Sequence, residues 1–371
     1  MFGGNNSTHL DEKNILEVLS TVQDPELGRD IVSLKMVDTL KLEGDRLYLK
    51  ITLTTPACPL KSRIESDIRQ ALSRLDGLKE VKIDFNSRVT PRRFGPMTQL
   101  LPGVAHTIAV ASAKGGVGKS TMSVGLAVAL QQSGARVGLL DADIHGPNIP
   151  IMLGVEIPPA QEGERLIPAE SHGVKLISTA FFMQADTPAI WRGPMVGKMI
   201  QELLMRVDWG ELDYLIVDLP PGTGDASLTL AQSVPLSGAV IVTTPQDVAL
   251  ADVGRGIAMF KKLNVPILGL IENMSYFICP HCNERTDIFG HGGEETAKRL
   301  KLDFLGEVPL HPAIRMGGDS GQPILVTAPD SPQAEAIRNI AYKVAAKISV
   351  LNLKNSSSIA GKSFIPLTPN R

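Results

Sequence analysis

The sequence predicts an α/β protein: a doubly wound, mostly parallel sheet forms a large domain, and a small α+β domain precedes it. Three observations carry this reading. From residue 105 to about 350, short uninterrupted apolar runs alternate with helix-length segments, the order of a parallel sheet covered on both faces. One of the strand-to-helix junctions is rich in glycine. Before residue 87 the pattern changes to alternating strands and amphipathic helices, as a sheet with one wet face requires.

The small domain is read over 10–86. Ile15, Leu16, Val18, Leu19 and Val22 give a first helix its apolar face, and Asp24-Pro25 ends it, because proline cannot continue the hydrogen-bond ladder. Thr39–Leu42 and Leu47–Leu53 flank Glu43-Gly44-Asp45-Arg46 and predict an antiparallel hairpin. Pro59 precedes a helix with Ile64, Ile68, Leu72 and Leu75 on one side, and Val81–Phe85 alternates like a half-buried strand. Residues 87–104, with Pro91, Pro96, Pro102 and Gly103, read as a linker.

In the main domain, 105–350, strands are expected at Ile108–Ala111, Val137–Leu140, Val174–Ile177, Tyr214–Val217, Ala239–Thr243, Ile267–Ile271 and Phe304–Val308. Helices are expected at about 120–133, 195–206, 248–262 and 292–301. Residues 351–371, rich in Ser, Asn and Pro, read as a disordered tail.

Bulk composition excludes several functions. A net charge of −2 over 371 residues leaves no basic footprint for nucleic acid. No apolar stretch approaches the roughly 18–20 residues of a membrane span. Asp11, Glu12, Glu17, Asp24 and Glu26 stand where a secretory or transit peptide would avoid acids, so a cytoplasmic location is expected. Three cysteines, Cys58, Cys279 and Cys282, make no disulfide framework.

The glycine-rich junction is Ala113-Lys114-Gly115-Gly116-Val117-Gly118-Lys119-Ser120-Thr121. Its glycines let backbone N–H groups of 115–121 converge on phosphate oxygens, and the following helix adds its positive end. Lys119 can bridge the outer phosphates of a nucleotide, and the Ser120 hydroxyl can ligate Mg²⁺. This chemistry serves ATP and GTP alike. The loop departs from the usual P-loop pattern, with Ala113 in place of the first glycine and a second lysine at 114.

Two acidic strand ends support it. Asp141-Ala142-Asp143 closes one apolar strand, and Asp218 closes another before Pro220-Pro221-Gly222-Thr223-Gly224. Open α/β sheets place their ligands at such ends. Asp218 is the expected Mg²⁺ partner, and the loop after it a switch near the outermost phosphate.

Cys279-Pro280-His281-Cys282 offers two thiolates to one soft metal. A closed site needs four, and a twofold dimer would bring an identical pair. Zinc and an iron–sulfur cluster both remain open on this spacing, with His281 and His291 either extra ligands or surface residues. No helix signal follows to depress a thiol pKa, which argues against a redox disulfide. Cys58, before a helix, is either a partner or cluster residue or a half-buried structural thiol.

The loop Lys114–Thr121 resembles the deviant Walker A motif of partition and nitrogenase-iron-protein ATPases. Together with Asp141–Asn148, Trp191-Arg192-Gly193-Pro194-Met195, Asp218–Asp225, Glu272-Asn273-Met274-Ser275 and Cys279–Cys282, the chain resembles the Mrp/ApbC family of iron–sulfur cluster carrier ATPases over nearly all of 105–350. Asp24-Pro25-Glu26 and Thr55–Leu60 resemble the small iron–sulfur assembly domain fused to bacterial members. The resemblance implies ATP with Mg²⁺ and slow hydrolysis. Lys114 would reach the partner's nucleotide across a homodimer, Asp143 would orient the attacking water, and Asn273 would recognise adenine. It further implies a 4Fe–4S cluster shared by two Cys279/Cys282 pairs, received from cluster donors and passed to apo iron–sulfur proteins. The rival readings are a positioning ATPase of the MinD/ParA kind, which would want a basic amphipathic tail that residues 355–371 lack, and a zinc-binding regulatory NTPase.

Overall fold

A computed structural model gives the fold and describes residues 10–25, 27–58, 60–91, 100–183, 193–279, 281–282 and 284–360. Glu26, Pro59, Trp191, Arg192, Pro280 and residues 92–99 of the expected linker lie outside the described residues, as do 361–371. Two compact units divide the chain: Met1–Thr90 with Ala345–Arg371, and Pro91–Val344.

In the first unit, Asp11 caps helix α1 (Glu12–Leu19) by accepting from the Asn14 amide at 2.8 Å. A short antiparallel pair follows, β1 (Gln23–Asp24) with β2 (Arg29–Asp30). Strands β3 (Val37–Glu43) and β4 (Arg46–Leu53) form the hairpin, with Gly44 at φ +65° in its turn. Helix α2 (Lys61–Leu72) then crosses to β5 (Glu80–Ser87), which pairs parallel with β4. Alternate residues of β4, Leu47, Leu49, Ile51 and Leu53, share a core with Ile15, Leu19, Ile64 and Ile68.

The second unit opens with β6 (Val104–Ser112), α3 (Lys119–Gln132), β7 (Val137–Asp141) and the short α4 (Ile149–Met152). Three small strands, β8 (Ala160–Glu162), β9 (Arg165–Ile167) and β10 (Ala169–Ser171), precede β11 (Val174–Ser178). Then come α5 (Gly193–Arg206), β12 (Leu212–Asp218), α6 (Asp225–Ser233), β13 (Gly238–Thr243), α7 (Asp247–Lys262) and β14 (Ile267–Asn273). A two-residue pair, β15 (Phe277–Ile278) and β16 (Arg285–Thr286), leads to α8 (Gly293–Leu300) and β17 (Phe304–Val308). Helices α9 (Pro312–Asp319) and α10 (Ile324–Thr327) follow, and α11 (Pro332–Ala360) begins in this unit while its residues from Ala345 onward belong to the first.

The eight-stranded sheet has the order β10-β11-β7-β12-β6-β13-β14-β17, and only β10 runs antiparallel. From β6 the chain first winds to one side through β7 and β11. It later returns through β12 and continues on the other side through β13, β14 and β17. The sheet therefore reverses at β6, where a crevice opens beyond the carboxyl ends of the strands. Those ends carry Ser112, Asp141, Asp218 and Asn273 on one edge, because the strands are parallel.

Each of the seven apolar runs forms one of the seven parallel strands. In the inner strands the side chains are buried on both faces, as at Ile108, Leu139, Ile216 and Leu270, while the edge strand β17 is only partly buried. The ribbon β8–β9 and the edge β10 give no apolar signal to read, since Ala160–Glu162 is exposed throughout. Helix α11 corrects the expected tail: it continues to Ala360, ten residues into the segment 351–371. Serine and asparagine cost little in a helix that is already nucleated.

Helix α7 is held against the sheet by Phe260, which is fully buried in the main core. Truncating it should leave a cavity that a two-sided sheet cannot collapse into. Phe260→Ala is expected to lower unfolding stability by about 3–5 kcal/mol, read as a reduced urea midpoint at unchanged slope.

Candidate functional site

The glycine-rich loop joins the end of β6 to the start of α3 at the sheet's reversal point. Gly116 at φ +79° and Gly118 at φ +83° turn the chain through the left-handed region that other residues avoid. Gly118 has a second constraint: a Cβ there would lie 2.1 Å from Asn273 Nδ2. That amide donates to the Val117 carbonyl at 2.9 Å, so the end of β14 grips the loop directly. The next residue, Met274, takes φ +56°, an uncommon conformation for a non-glycine residue that turns the chain away from the sheet.

Lys119 heads α3 with only 6% of its side chain exposed. Its ammonium is 2.6 Å from Asp218 Oδ2, 3.5 Å from Asp143 Oδ2 and 3.3 Å from Ser120 Oγ. Asp218 also accepts from Ser120 Oγ at 2.7 Å and from Ser123 Oγ at 2.6 Å. Buried charges persist only when paired in this way. Ser123 was not among the sequence-derived candidates, although its place one helical turn beyond Lys119 is the available signal.

Strand register sets Asp141 beside Asp218. Burial, and then the Asp218 charge, push the Asp141 carboxyl up to about 7. It accepts from Ser178 Oγ at 2.8 Å and from the Asp143 and Ile149 amides at 3.2 and 3.3 Å. Asp141 thus shapes the loop that presents Asp143, while Asp143 itself faces the cleft.

That cleft, of about 390 Å³, is lined by Lys114, Gly115, Gly116, Gly118, Lys119, Ser120, Thr121 and Asp143. A second cleft of about 480 Å³ shares Thr121, Asn148 and Met152 with it and extends past Asn273 to Pro309, Leu310 and His311. Cationic, hydroxyl and glycine-backbone groups in the first suit a polyphosphate; the more apolar second suits a flat base. Ser120 Oγ and Asp218 Oδ2 already converge at 2.7 Å, so the oxygens needed to hold a hydrated Mg²⁺ are side by side. The Pro309–His311 wall was not read from sequence, because it comes from the loop after the last strand.

Lys114 stands apart from this cluster. Its ammonium lies 3.6 Å from Asp252 Oδ2 on α7. Nothing in the sequence pairs the two; only the adjacency of β6 and β13 brings α7 over the loop.

The cysteine pair occupies the turn between β15 and β16, where Phe277 faces Thr286 and Ile278 faces Arg285. The Cys279 amide closes the turn by donating to Glu284 O at 3.0 Å. Cys279 is half-buried and Cys282 exposed. The Cys282 amide, then the His281 amide and the Cys282 thiol, pull the Cys279 thiol below its ordinary range. The amides of a tight turn thus lower the Cys279 thiol pKa without a helix N-terminus. Cys58 lies in the other unit, half-buried ahead of α2. His291 does not join the cysteines: its two ring nitrogens face Glu272 and Glu307.

Comparison with known proteins places these features in a family. Residues 103–345 match the model of the NUBPL iron-transfer P-loop NTPases, and residues 12–85 that of an iron–sulfur cluster assembly protein. An iron–sulfur cluster carrier protein of Synechocystis is 48% identical over 346 residues, covering 91% of this chain and 98% of the relative. The Escherichia coli protein of the same description is 39% identical, over 89% and 90% of the two chains. A solved nucleotide-binding protein from Archaeoglobus fulgidus, in complex with ADP, superposes with a TM-score of 0.57 at 41% identity, over 64% of this chain and 94% of that one. The cell-division ATPase MinD of Pyrococcus furiosus shares the fold, with a TM-score of 0.50 at 23% identity over 64% and 98%.

Two outcomes test this geometry. Gly118→Ala must place a Cβ at positive φ and displace Asn273, so ATP affinity measured by calorimetry should fall roughly tenfold or more. Asp141 has a folded pKa raised from 3.8 to about 7, so it binds its proton more tightly folded than unfolded. Its contribution is full below the unfolded value and is lost as pH rises through about 7. In nucleotide-free protein, the melting temperature of wild type should therefore gain on that of Asp141→Asn as pH falls from about 8 to about 5.

Proposed function

The chain belongs to the NUBPL iron-transfer P-loop NTPase family, and on that premise we propose that it is an ATP-hydrolysing carrier that holds an iron–sulfur cluster and hands it to apoproteins. One observation carries the reading. Asn273 grips the P-loop at Val117, and the same segment of chain then turns directly into the Cys279–Cys282 turn. Nucleotide loop and thiolate pair are thus two ends of one short connection.

Bound MgATP would supply the phosphoryl group and the cation's charge. Around it, Lys119 would exchange its contact with Asp218 for phosphate oxygens, and Ser120 with Asp218 would hold the cation through oxygen. Thr121 and the amides of 115–121 complete the cradle, while Asn273 lies at the entrance to the base cleft. Asp143, steered by Asp141, positions the attacking water beside Lys119. Lys114 leaves Asp252 and reaches the phosphates of a second copy, which makes the working species a homodimer. Hydrolysis is slow and times cluster loading or release.

A twofold dimer brings two Cys279/Cys282 pairs together, four thiolates in all, the set that a 4Fe–4S cluster requires. The cluster is cargo, received from a donor and passed on. Three cysteines without a disulfide framework support a cytoplasmic setting. Among the described residues no helix is long and apolar enough to cross a membrane. The likeness to MinD is one of fold and brings no positioning activity with it.

Anaerobic purification of the full chain should give about four irons and four sulfides per dimer, and Cys279→Ala or Cys282→Ala should carry almost none while still hydrolysing ATP. Colourless, zinc-loaded wild type after anaerobic reconstitution would overturn the carrier reading. Lys114→Ala should keep ATP affinity within a few-fold yet lose tenfold or more in turnover, on the order of 1.4 kcal/mol of transition-state stabilisation, with the ATP-dependent dimer lost in sedimentation.

A further inference from the structure

Glu272 shares a motif with Asn273, yet nothing in the nucleotide site uses it. Its side chain is fully buried and lies level with Glu307 on the neighbouring parallel strand β17. Two carboxylates in register repel each other, and the structure offsets this with donors on every side. Glu272 Oε2 accepts from the Gly293 amide at 2.5 Å, and Oε1 accepts from Ser275 Oγ at 2.5 Å. A Cβ at Gly293 would sit 2.5 Å from Oε2, so the approach of α8 depends on that glycine.

The His291 ring lies between the two acids, with Nδ1 3.6 Å from Glu272 Oε1 and Nε2 3.2 Å from Glu307 Oε1. The ring thus stands between the two strands with one nitrogen toward each carboxylate. Glu307 gives its other oxygen to Arg285, at 3.1 Å. Arg285 belongs to β16, where it faces Ile278, the residue before Cys279, and its guanidinium stacks 4.0 Å over the Tyr276 ring. Approaches of 3.1, 3.2 and 3.6 Å thus link Arg285, Glu307, His291 and Glu272 in turn, beginning beside the cysteine turn. The next residue, Asn273, holds the P-loop.

We propose that Arg285, Glu307 and His291 are positioning residues that couple the cysteine turn to the nucleotide loop, so that nucleotide occupancy changes the exposure of the thiols and the hold on the cargo. This rests on the carrier reading and gives it a route. None of the three touches phosphate or cysteine sulfur; each acts by fixing its neighbour. Such coupling is a free energy shared between two sites and is established only by measuring both.

The test uses full-length protein stripped of iron and follows alkylation of the Cys279–Cys282 peptide by mass spectrometry, with and without MgATP. In wild type, nucleotide should change the rate by about fivefold or more. In His291→Gln and Glu307→Gln the ratio should fall to within about twofold of unity while the Kd for ATP stays within about threefold, and the double variant should match the singles. Arg285→Lys keeps the charge but loses the planar fork and the stacking; it should give an intermediate ratio, and it serves as the mild variant if a Gln substitution fails to fold. A wild-type ratio of one, or a full ratio retained in the variants, overturns the proposal. Alkylation needs no cluster, so iron-free wild type would sink the carrier reading and leave this comparison standing.

Discussion

The contact on which the site depends is the buried pair between Lys119 and Asp218, 2.6 Å apart with almost no solvent. A lone charge in that place would be strongly destabilising, and each member persists because the other is there. The pair also fixes geometry. It locks the start of α3 to the end of β12, and through Ser120 and Ser123 it fills both oxygens of Asp218. On the proposed function, an incoming phosphate would meet an ammonium already aimed, whose present partner would turn to a cation instead.

Around that pair the sheet works as a positioning frame. Parallel strands end together, so Ser112, Asp141, Asp218 and Asn273 reach one edge without long loops to carry them. Close backbone approach does the rest. Gly118 admits the Asn273 amide, and Gly293 admits the Glu272 carboxylate, each where a Cβ would collide. Both contacts lie at the carboxyl end of β14, the strand that leads into the cysteine turn. A strand with the P-loop at one residue and the cysteine pair shortly beyond is a physical basis for the proposed coupling.

Much of this was legible beforehand, for reasons that differ by residue. Buried parallel strands are continuous apolar runs, so seven of them could be read from composition alone. Lys119, Ser120 and Asp218 announce themselves because phosphate and Mg²⁺ chemistry demands those residue types at those spacings. The short exposed strands Ala160–Glu162 and Arg165–Ile167 carry no such signal, and helices α6, α9 and α11 are absent from the expected set.

By itself the sequence determined the two-part architecture, the phosphate loop, its acidic strand ends and the paired cysteines, since each is written in local periodicity or spacing. Tertiary structure alone decided which distant groups meet. Lys114 rests on Asp252, Asn273 reaches Val117, and His291 spans Glu272 and Glu307 instead of joining the cysteines. It also decided chemistry: Asp141 holds a proton toward neutrality and Cys279 yields one more readily, because burial and turn amides set those affinities. Strand order and loop closure bring such partners together, and neither leaves a mark within the few residues that a motif spans.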